Sequence, residues 1–319
     1  MGEGVSRREL SAMLGAALFA PGFARAQAVG DEEPARIPLA ADLSRRMTAP
    51  VRINGRGPFT FVIDTGANVT VLSQELADVL GLQATGEGEV HGVVGVERAP
   101  VTVVGELTVG AAKALELQTP ILRKQELGGD GLLGVDVMRN RVVSLDFARW
   151  EFAIGPVLNH AFRSIGEGGR LTGGSGEVIA GNSVRVPARQ RFGQLMTVDA
   201  LVDGVPVAAF IDSGAQSTVG NSALLSAVSE GNPNGEQRAQ VTLVSATGQT
   251  IGGELLSMRE LRVGSMRIRR LPVAFADLHA FDIWGLRQQP AILIGMDVLH
   301  RFRAVELNFR RSQVTFSFG

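Results

Sequence analysis

The sequence predicts a mainly β fold made of two homologous lobes, and three observations carry that prediction. Of 319 residues, 45% are hydrophobic and 20% charged, and 40 are Gly, a balance suited to many short strands joined by tight turns. The chain repeats its landmarks once, over a period as long as a domain. Each copy contains an apolar run that ends on an Asp in a small turn: Phe61-Val62-Ile63-Asp64-Thr65-Gly66-Ala67 and Phe210-Ile211-Asp212-Ser213-Gly214-Ala215. The length allows each copy a core of its own.

The N-terminus precedes this pattern. Ser6-Arg7-Arg8-Glu9-Leu10 is followed by the apolar Ala12 to Ala20 and by Ala26-Gln27-Ala28, the layout of an export signal over residues 1–28. The apolar run is too short for a lasting bilayer span, so no stable membrane insertion is expected once the signal is removed. The arginine pair resembles a twin-arginine signal, which places the mature protein in the periplasm or outside the cell. Removing the segment takes the formal charge from -1 to about -2.

The repeat organises the remainder. Pro38 and Pro187, Met47-Thr48 and Met196-Thr197, and Asn54-Gly55 and Asp203-Gly204 share one offset, 149 (204 minus 55). Asn-Gly and Asp-Gly favour two-residue hairpin turns, whose central positions need positive φ. Each half therefore has a hairpin whose second arm delivers the Asp. Past the turn the offset is 148 (212 minus 64), and a short helix, Gln74 to Leu80, is stopped by Gly81. Glu106-Leu107-Thr108-Val109-Gly110 then answers to Glu260-Leu261-Arg262-Val263-Gly264. Leu132-Leu133-Gly134 answers to Leu293-Ile294-Gly295, and Leu145-Asp146-Phe147 to Leu307-Asn308-Phe309. The offset grows in steps because loops lengthen cheaply while the framework stays. An N-terminal lobe over 29–156, a Gly-rich linker over 157–181 and a C-terminal lobe over 182–319 follow.

Two lobes related by a pseudo-twofold would bring Asp64 and Asp212 face to face. Two carboxyls about 3 Å apart cannot both ionise at neutral pH and share one proton. The ionised partner can take a proton from a trapped water, and the protonated one can donate to a carbonyl oxygen. The hydroxyls of Thr65 and Ser213 can tie the two turns together, and Gly66 and Gly214 let backbone approach the carboxylates. The side chains of Ala67 and Ala215 bring no hydrogen bond.

With these motifs the chain resembles a retropepsin-like (retroviral-type) aspartic protease, duplicated in one polypeptide as in pepsins. The resemblance rests on Asp64-Thr65-Gly66-Ala67 and Asp212-Ser213-Gly214-Ala215, each followed much later by two hydrophobic residues and a Gly. It implies the acid-protease fold, with closed β-barrel-like lobes, short helices, an extended peptide across the lobe interface and hairpin flaps over it. The flap candidates lie in Val90 to Val96 and Val244 to Gly253, with His91, Gly92, Gly95, Thr247 and Gly248 at their tips. It further implies an endopeptidase that is monomeric, because the duplication supplies the second half. An optimum less acidic than that of pepsins is expected, since Ala67 and Ala215 leave the carboxylates without a side-chain donor.

Other classes fit less well. The absence of Cys excludes disulfides and thiolate zinc, and His91, His160, His279 and His300 are scattered, so neither metal nor cofactor is expected. No basic run points to nucleic acid; Arg262, Arg267, Arg269 and Arg270 suit the wet face of a strand. The His and Ser elements of a subtilisin-like site are missing. The competing reading is a catalytically silent periplasmic peptide-binding or scaffold protein on the same fold. Asp136 and Asp297 read as helix N-caps, Trp150 and Trp284 as packing residues, and Asp146, opposite Asn308, as structural.

Overall fold

The computed structural model describes residues 11–14, 17–19, 27–29, 35–38, 40–41, 46–155, 177–179, 182–197, 199–230, 238–245 and 247–319. Arg7, Arg8 and most of the expected export signal lie outside them, as do residues 157–176 of the expected linker. Within the signal, Ser11–Leu14 and Ala17–Phe19 are strands that pair with residues 242–245 and 90–92. Gln27–Val29 pairs with residues 113–115. One boundary is corrected: Glu177–Ile179, assigned to the linker, is a strand paired with residues 183–185. The β-branched Val178-Ile179 after the glycines is enough to extend the sheet.

In the N lobe the hairpin Met47–Ile53 and Arg56–Ile63 turns at Asn54-Gly55, with φ of 48° and 75°. In the C lobe the corresponding turn is Asp203-Gly204, at 49° and 89°. The N-lobe sheet closes on itself, because Met47–Ile53 pairs with Arg56–Ile63 on one side and with Val96–Val109 on the other. Among the described residues six short helices punctuate the strands: α1 Gln74–Leu80, α2 Lys124–Leu127, α3 Val135–Met138, α4 Ser222–Glu230, α5 His279–Ile283 and α6 Met296–Leu299. The first is bounded as the sequence predicts. Ser73 Oγ accepts from Leu76 N at 3.1 Å at its start, and Gly81 ends it at φ 70°.

The lobes are joined by backbone. Val142–Asp146 pairs antiparallel with Ala304–Asn308, with Ser144 opposite Glu306 at the centre. Glu151–Gly155 and Gln313–Ser317 flank that pair, and Ala35–Pro38 and Ser183–Arg191 lie outside them. Asp146 Oδ1 accepts from Arg149 N at 2.8 Å, and Asn308 Oδ1 accepts from Arg311 N at 2.9 Å. Both side chains hold hairpin turns, the structural role expected of them.

Three sequence readings change. The Met-Thr landmark is one residue out. Thr48 pairs with Val62 and Thr197 with Ala209, so the strand partner equivalent to Thr48 is Met196. Burial agrees, since Met47 and Leu195 both sit in the core while Met196 is half-buried. Asp136 and Asp297 are not N-caps: Gly134 and Gly295 hold those places, and the carboxylates reach back to other residues described below. Trp284 is buried, stacked on Phe210 at 3.9 Å, but Trp150 is 41% exposed. The arginines behave as expected, with Arg267 and Arg269 within 3.8 and 3.9 Å of Glu260 and Arg262 near Asp199.

Candidate active site

Each Asp is carried into the lobe interface by the buried end of a strand. Phe61, Val62 and Ile63 are fully buried and pair in parallel with Gly131–Leu133. Phe210 and Ile211 pair in the same way within Ala291–Ile294. The strands continue as Asp64 N donating to Leu133 O and Asp212 N donating to Ile294 O, both at 3.0 Å. This explains the distant Leu-Leu-Gly and Leu-Ile-Gly motifs. A Cβ on Gly134 would collide with the Val69 backbone, and one on Gly295 would stand 2.7 Å from Ser217. Only Gly lets the loop beyond the Asp turn fold back there.

Asp136 and Asp297 hold those loops. Asp136 accepts from Thr70 N at 2.9 Å and Thr70 Oγ1 at 2.7 Å. Asp297 accepts from Thr218 N at 3.1 Å and Thr218 Oγ1 at 2.7 Å. The two hydroxyls in turn accept from Gly134 N and Gly295 N.

The turns interlock across the interface. Thr65 Oγ1 donates to Ile211 O at 2.9 Å and accepts from Ser213 N at 2.9 Å. Ser213 Oγ donates to Ile63 O at 2.7 Å and accepts from Thr65 N at 3.1 Å. Each hydroxyl thus uses both of its functions on the opposite lobe.

Asp64 and Asp212 are buried, at 0% and 1% exposure. Asp64 Oδ1 accepts from Gly66 N and Ala67 N at 2.9 Å, and Asp212 Oδ1 accepts from Gly214 N and Ala215 N at 2.8 and 3.2 Å. The alanines therefore contribute backbone donors although their side chains add none. A Cβ on Gly66 would collide with the Asp212 carboxyl, which shows how near the two turns lie. The second oxygen of each carboxyl is buried and has no hydrogen-bond partner among the described residues. Burial raises Asp64 from 3.8 to about 7, against the pull of Arg46 and of the two backbone donors. Asp212 is raised well above 3.8 by burial and then by the charge of Asp64.

The flap candidates of the two halves come together tip to tip. Gly92 N donates to Gly95 O at 2.8 Å, and Gly248 N donates to Ser245 O at 3.0 Å. A Cβ on Gly92 would stand 3.1 Å from Thr247 Oγ1, and one on Gly95 2.8 Å from Gln249 Oε1, so the two tips touch. Val93, at the first tip, is fully buried and packs within the C-lobe apolar cluster around Phe281 and Trp284. His91 Nδ1 lies 3.2 Å from His279 Nε2 on α5, with the rings stacked. Gly248 lies beside Glu126 of α2. Each flap therefore rests on a helix of the opposite lobe.

Two residues at this site escape the sequence reading. Arg46 and Gln194 are buried charged and polar residues. Register places them across from Asp64 and Asp212, by the step of two beyond the Thr48–Val62 and Met196–Phe210 pairs. The Met-Thr match hides the relation, because at offset 149 Arg46 answers to Leu195. The offset of 148 at the two Asp residues was the available signal.

Paired carboxyls in interlocked Asp-Thr/Ser-Gly turns between two β lobes, with two hairpins that meet at their tips, define the class of bilobal aspartyl protease folds. Residues 49–140 match the family model described as gag-polyprotein putative aspartyl protease, and residues 198–298 match the one described as aspartyl protease. No curated protein matches the chain. The chain belongs to the retropepsin-like aspartyl proteases, with two such domains in tandem.

Proposed function

We propose that this chain is an exported, monomeric aspartic endopeptidase in which Asp64 and Asp212 act as one acid/base pair on a water molecule. The carrying observation is the reciprocal Thr65–Ser213 lock, which holds two buried carboxyls in mirrored turns. The ionised carboxylate takes a proton from water as its oxygen bonds to the peptide carbonyl carbon, and the protonated carboxyl gives its proton to the carbonyl oxygen. Collapse of the resulting diol breaks the C–N bond. The amine leaves with the first proton, and the second carboxyl regains its own. Burial supports this chemistry, because in a site of low dielectric two adjacent carboxyls retain a proton at neutral pH.

Export follows from the signal pattern in residues 1–28, and no described helix is long and apolar enough to cross a membrane. Monomeric behaviour follows from the second half being built into the chain. The purified protein, assayed on a mixed peptide library from acidic to neutral pH, is expected to cleave peptides, and Asp64→Asn and Asp212→Asn are each expected to abolish cleavage. Cleavage surviving either substitution refutes the pair. Peptide binding without cleavage by the wild type favours a silent binding protein.

A further inference from the structure

The first flap strand of each half meets a piece of the N-terminal segment on its outer edge. Gly86–Gly92 is paired on one side with Val96–Val109, and Ala239–Ser245 with Thr250–Val263. Their other edges take Ala17–Phe19 and Ser11–Leu14. An unpaired edge offers a row of main-chain donors and acceptors, and an extended peptide completes it by adding a strand.

The register is symmetric. Gly92 and Ser245 each end a seven-residue strand, and each donates its N–H back across the tip, to Gly95 O and Gln249 O at 2.8 Å. They are therefore equivalent, at an offset of 153 (245 minus 92), between the 148 of the two Asp residues and the 154 (260 minus 106) of Glu106 and Glu260. Leu14 pairs with Ser245 and Ala17 with Gly92, Met13 with Val244 and Leu18 with His91, Ala12 with Leu243 and Phe19 with Val90. Each step outward thus meets equivalent residues of the two halves. The segment runs parallel to the C-lobe strand and antiparallel to the N-lobe strand, as one extended chain must when it crosses a twofold that relates them. By this register its midpoint, between Leu14 and Ala17, falls on the pseudo-twofold that also relates Asp64 to Asp212.

We propose that this N-terminal segment is an intramolecular occupant of the peptide site, added as a strand between the two flaps, and that the chain is latent until the segment is removed. The proposal rests on the protease reading given above and adds a control to it. Main-chain pairing makes few demands on side-chain identity, so a segment whose composition serves export can also fill the site. An occupant on the same chain competes at an effective concentration of about 1 mM; a site with a KM of about 10 μM is then left free about one part in a hundred. Gln27–Val29, paired with residues 113–115, holds the far end of the segment. The cut expected after Ala28 falls inside that strand and detaches the anchor together with the occupant.

The test uses the full chain, unaltered and with Ala12→Pro, Met13→Pro, Ala17→Pro and Leu18→Pro together. Adjacent prolines remove the N–H that faces the flap strand, whichever of the two carries it. The variant is expected to cleave library peptides with kcat/KM about a hundredfold above that of the unaltered chain. A synthetic peptide of residues 11–19 is expected to raise its KM and leave kcat unchanged. In amide hydrogen exchange the unaltered chain should protect consecutive residues across 90–92 and 242–245, where an edge strand protects alternate ones. The variant should lose at least about tenfold of that protection at every second residue. Equal kcat/KM in two active chains, inhibition by the peptide that leaves KM unchanged, or alternate protection in the unaltered chain each overturns the proposal. Exchange in the unaltered chain needs neither the variant nor turnover. Should the prolines prevent folding, or should both chains cleave nothing and so refute the protease reading, that pattern decides whether the segment fills the flap edges.

Discussion

Replacing Asp212 with Asn should stabilise the folded protein at alkaline pH, and the size of the effect follows from the environment of the pair. The folded-state value of Asp64, about 7, lies above its ordinary 3.8. A raised carboxyl contributes stability that is fully present below pH 3.8 and is lost as pH rises through about 7. Roughly three pH units at about 1.4 kcal/mol each make that loss about 4 kcal/mol. In a chain of this size this lowers the melting temperature by roughly 10 °C between pH 4 and pH 8. The Asp212→Asn substitution leaves the burial of Asp64 in place but removes the second buried carboxyl, itself raised by burial and then by the charge of Asp64, so the variant is spared the loss that Asp212 adds as pH rises. Other partly buried acids raised in the same direction, Asp136, Asp297 and Glu306, are common to both proteins and cancel in the difference. Calorimetry of wild type and variant across pH 4 to 8 measures it. Parallel curves, or a variant less stable than wild type at pH 8, refute the claim that Asp212 is held raised by burial beside Asp64.

Three further outcomes are expected. Thr65→Val strands Ile211 O and Ser213 N and should cost about 2–5 kcal/mol in chemical denaturation; with Ser213→Ala the losses should combine non-additively, and simple additivity would count against the interlock. Gly66→Ala drives a methyl group into the Asp212 carboxyl and should lower kcat/KM by at least about a hundredfold while costing about 1–3 kcal/mol; an active variant would show that the turns stand farther apart. His279 is lowered from 6.5 by burial and by His91, partly opposed by Asp282. Its contribution to stability is therefore present above pH 6.5 and lost as pH falls through its folded value. The first flap should loosen on acidification, with Glu89 beside His91 at 3.9 Å damping the effect. Spin-label distances between that flap and α5 should lengthen in the wild type and stay constant in His279→Gln.

Much of this architecture was legible because it is local or repeated. Asn54-Gly55, Asp203-Gly204 and Gly81 announce themselves through backbone conformations that few other residues adopt. The Asp-Thr-Gly and Asp-Ser-Gly turns gain their meaning from recurring. Asp136 and Asp297 were misread because capping is the commonest use of an Asp before a helix, and nothing local marks a partner as far away as Thr70 or Thr218. Arg46 was hidden by a chance Met-Thr identity, and a slip of one residue along a strand exchanges its two faces. The crossing of the flaps onto α2 and α5 depends on how the lobes meet, which no single stretch encodes.

The sheet joining the lobes has a consequence for how their sequences can change. Its bonds run between main-chain groups, from Val142–Asp146 to Ala304–Asn308, and main-chain bonding makes few demands on side-chain identity. Two halves stapled in this way keep their alignment while their side chains diverge. Matching is then demanded chiefly around the two turns, where a hydroxyl must answer a backbone group across the axis, as at Thr65 and Ser213, or a side chain would collide, as at Gly134 and Gly295. Elsewhere the second half is free to stop copying the first, and a guanidinium in one half where the other keeps an amide is what such freedom leaves behind.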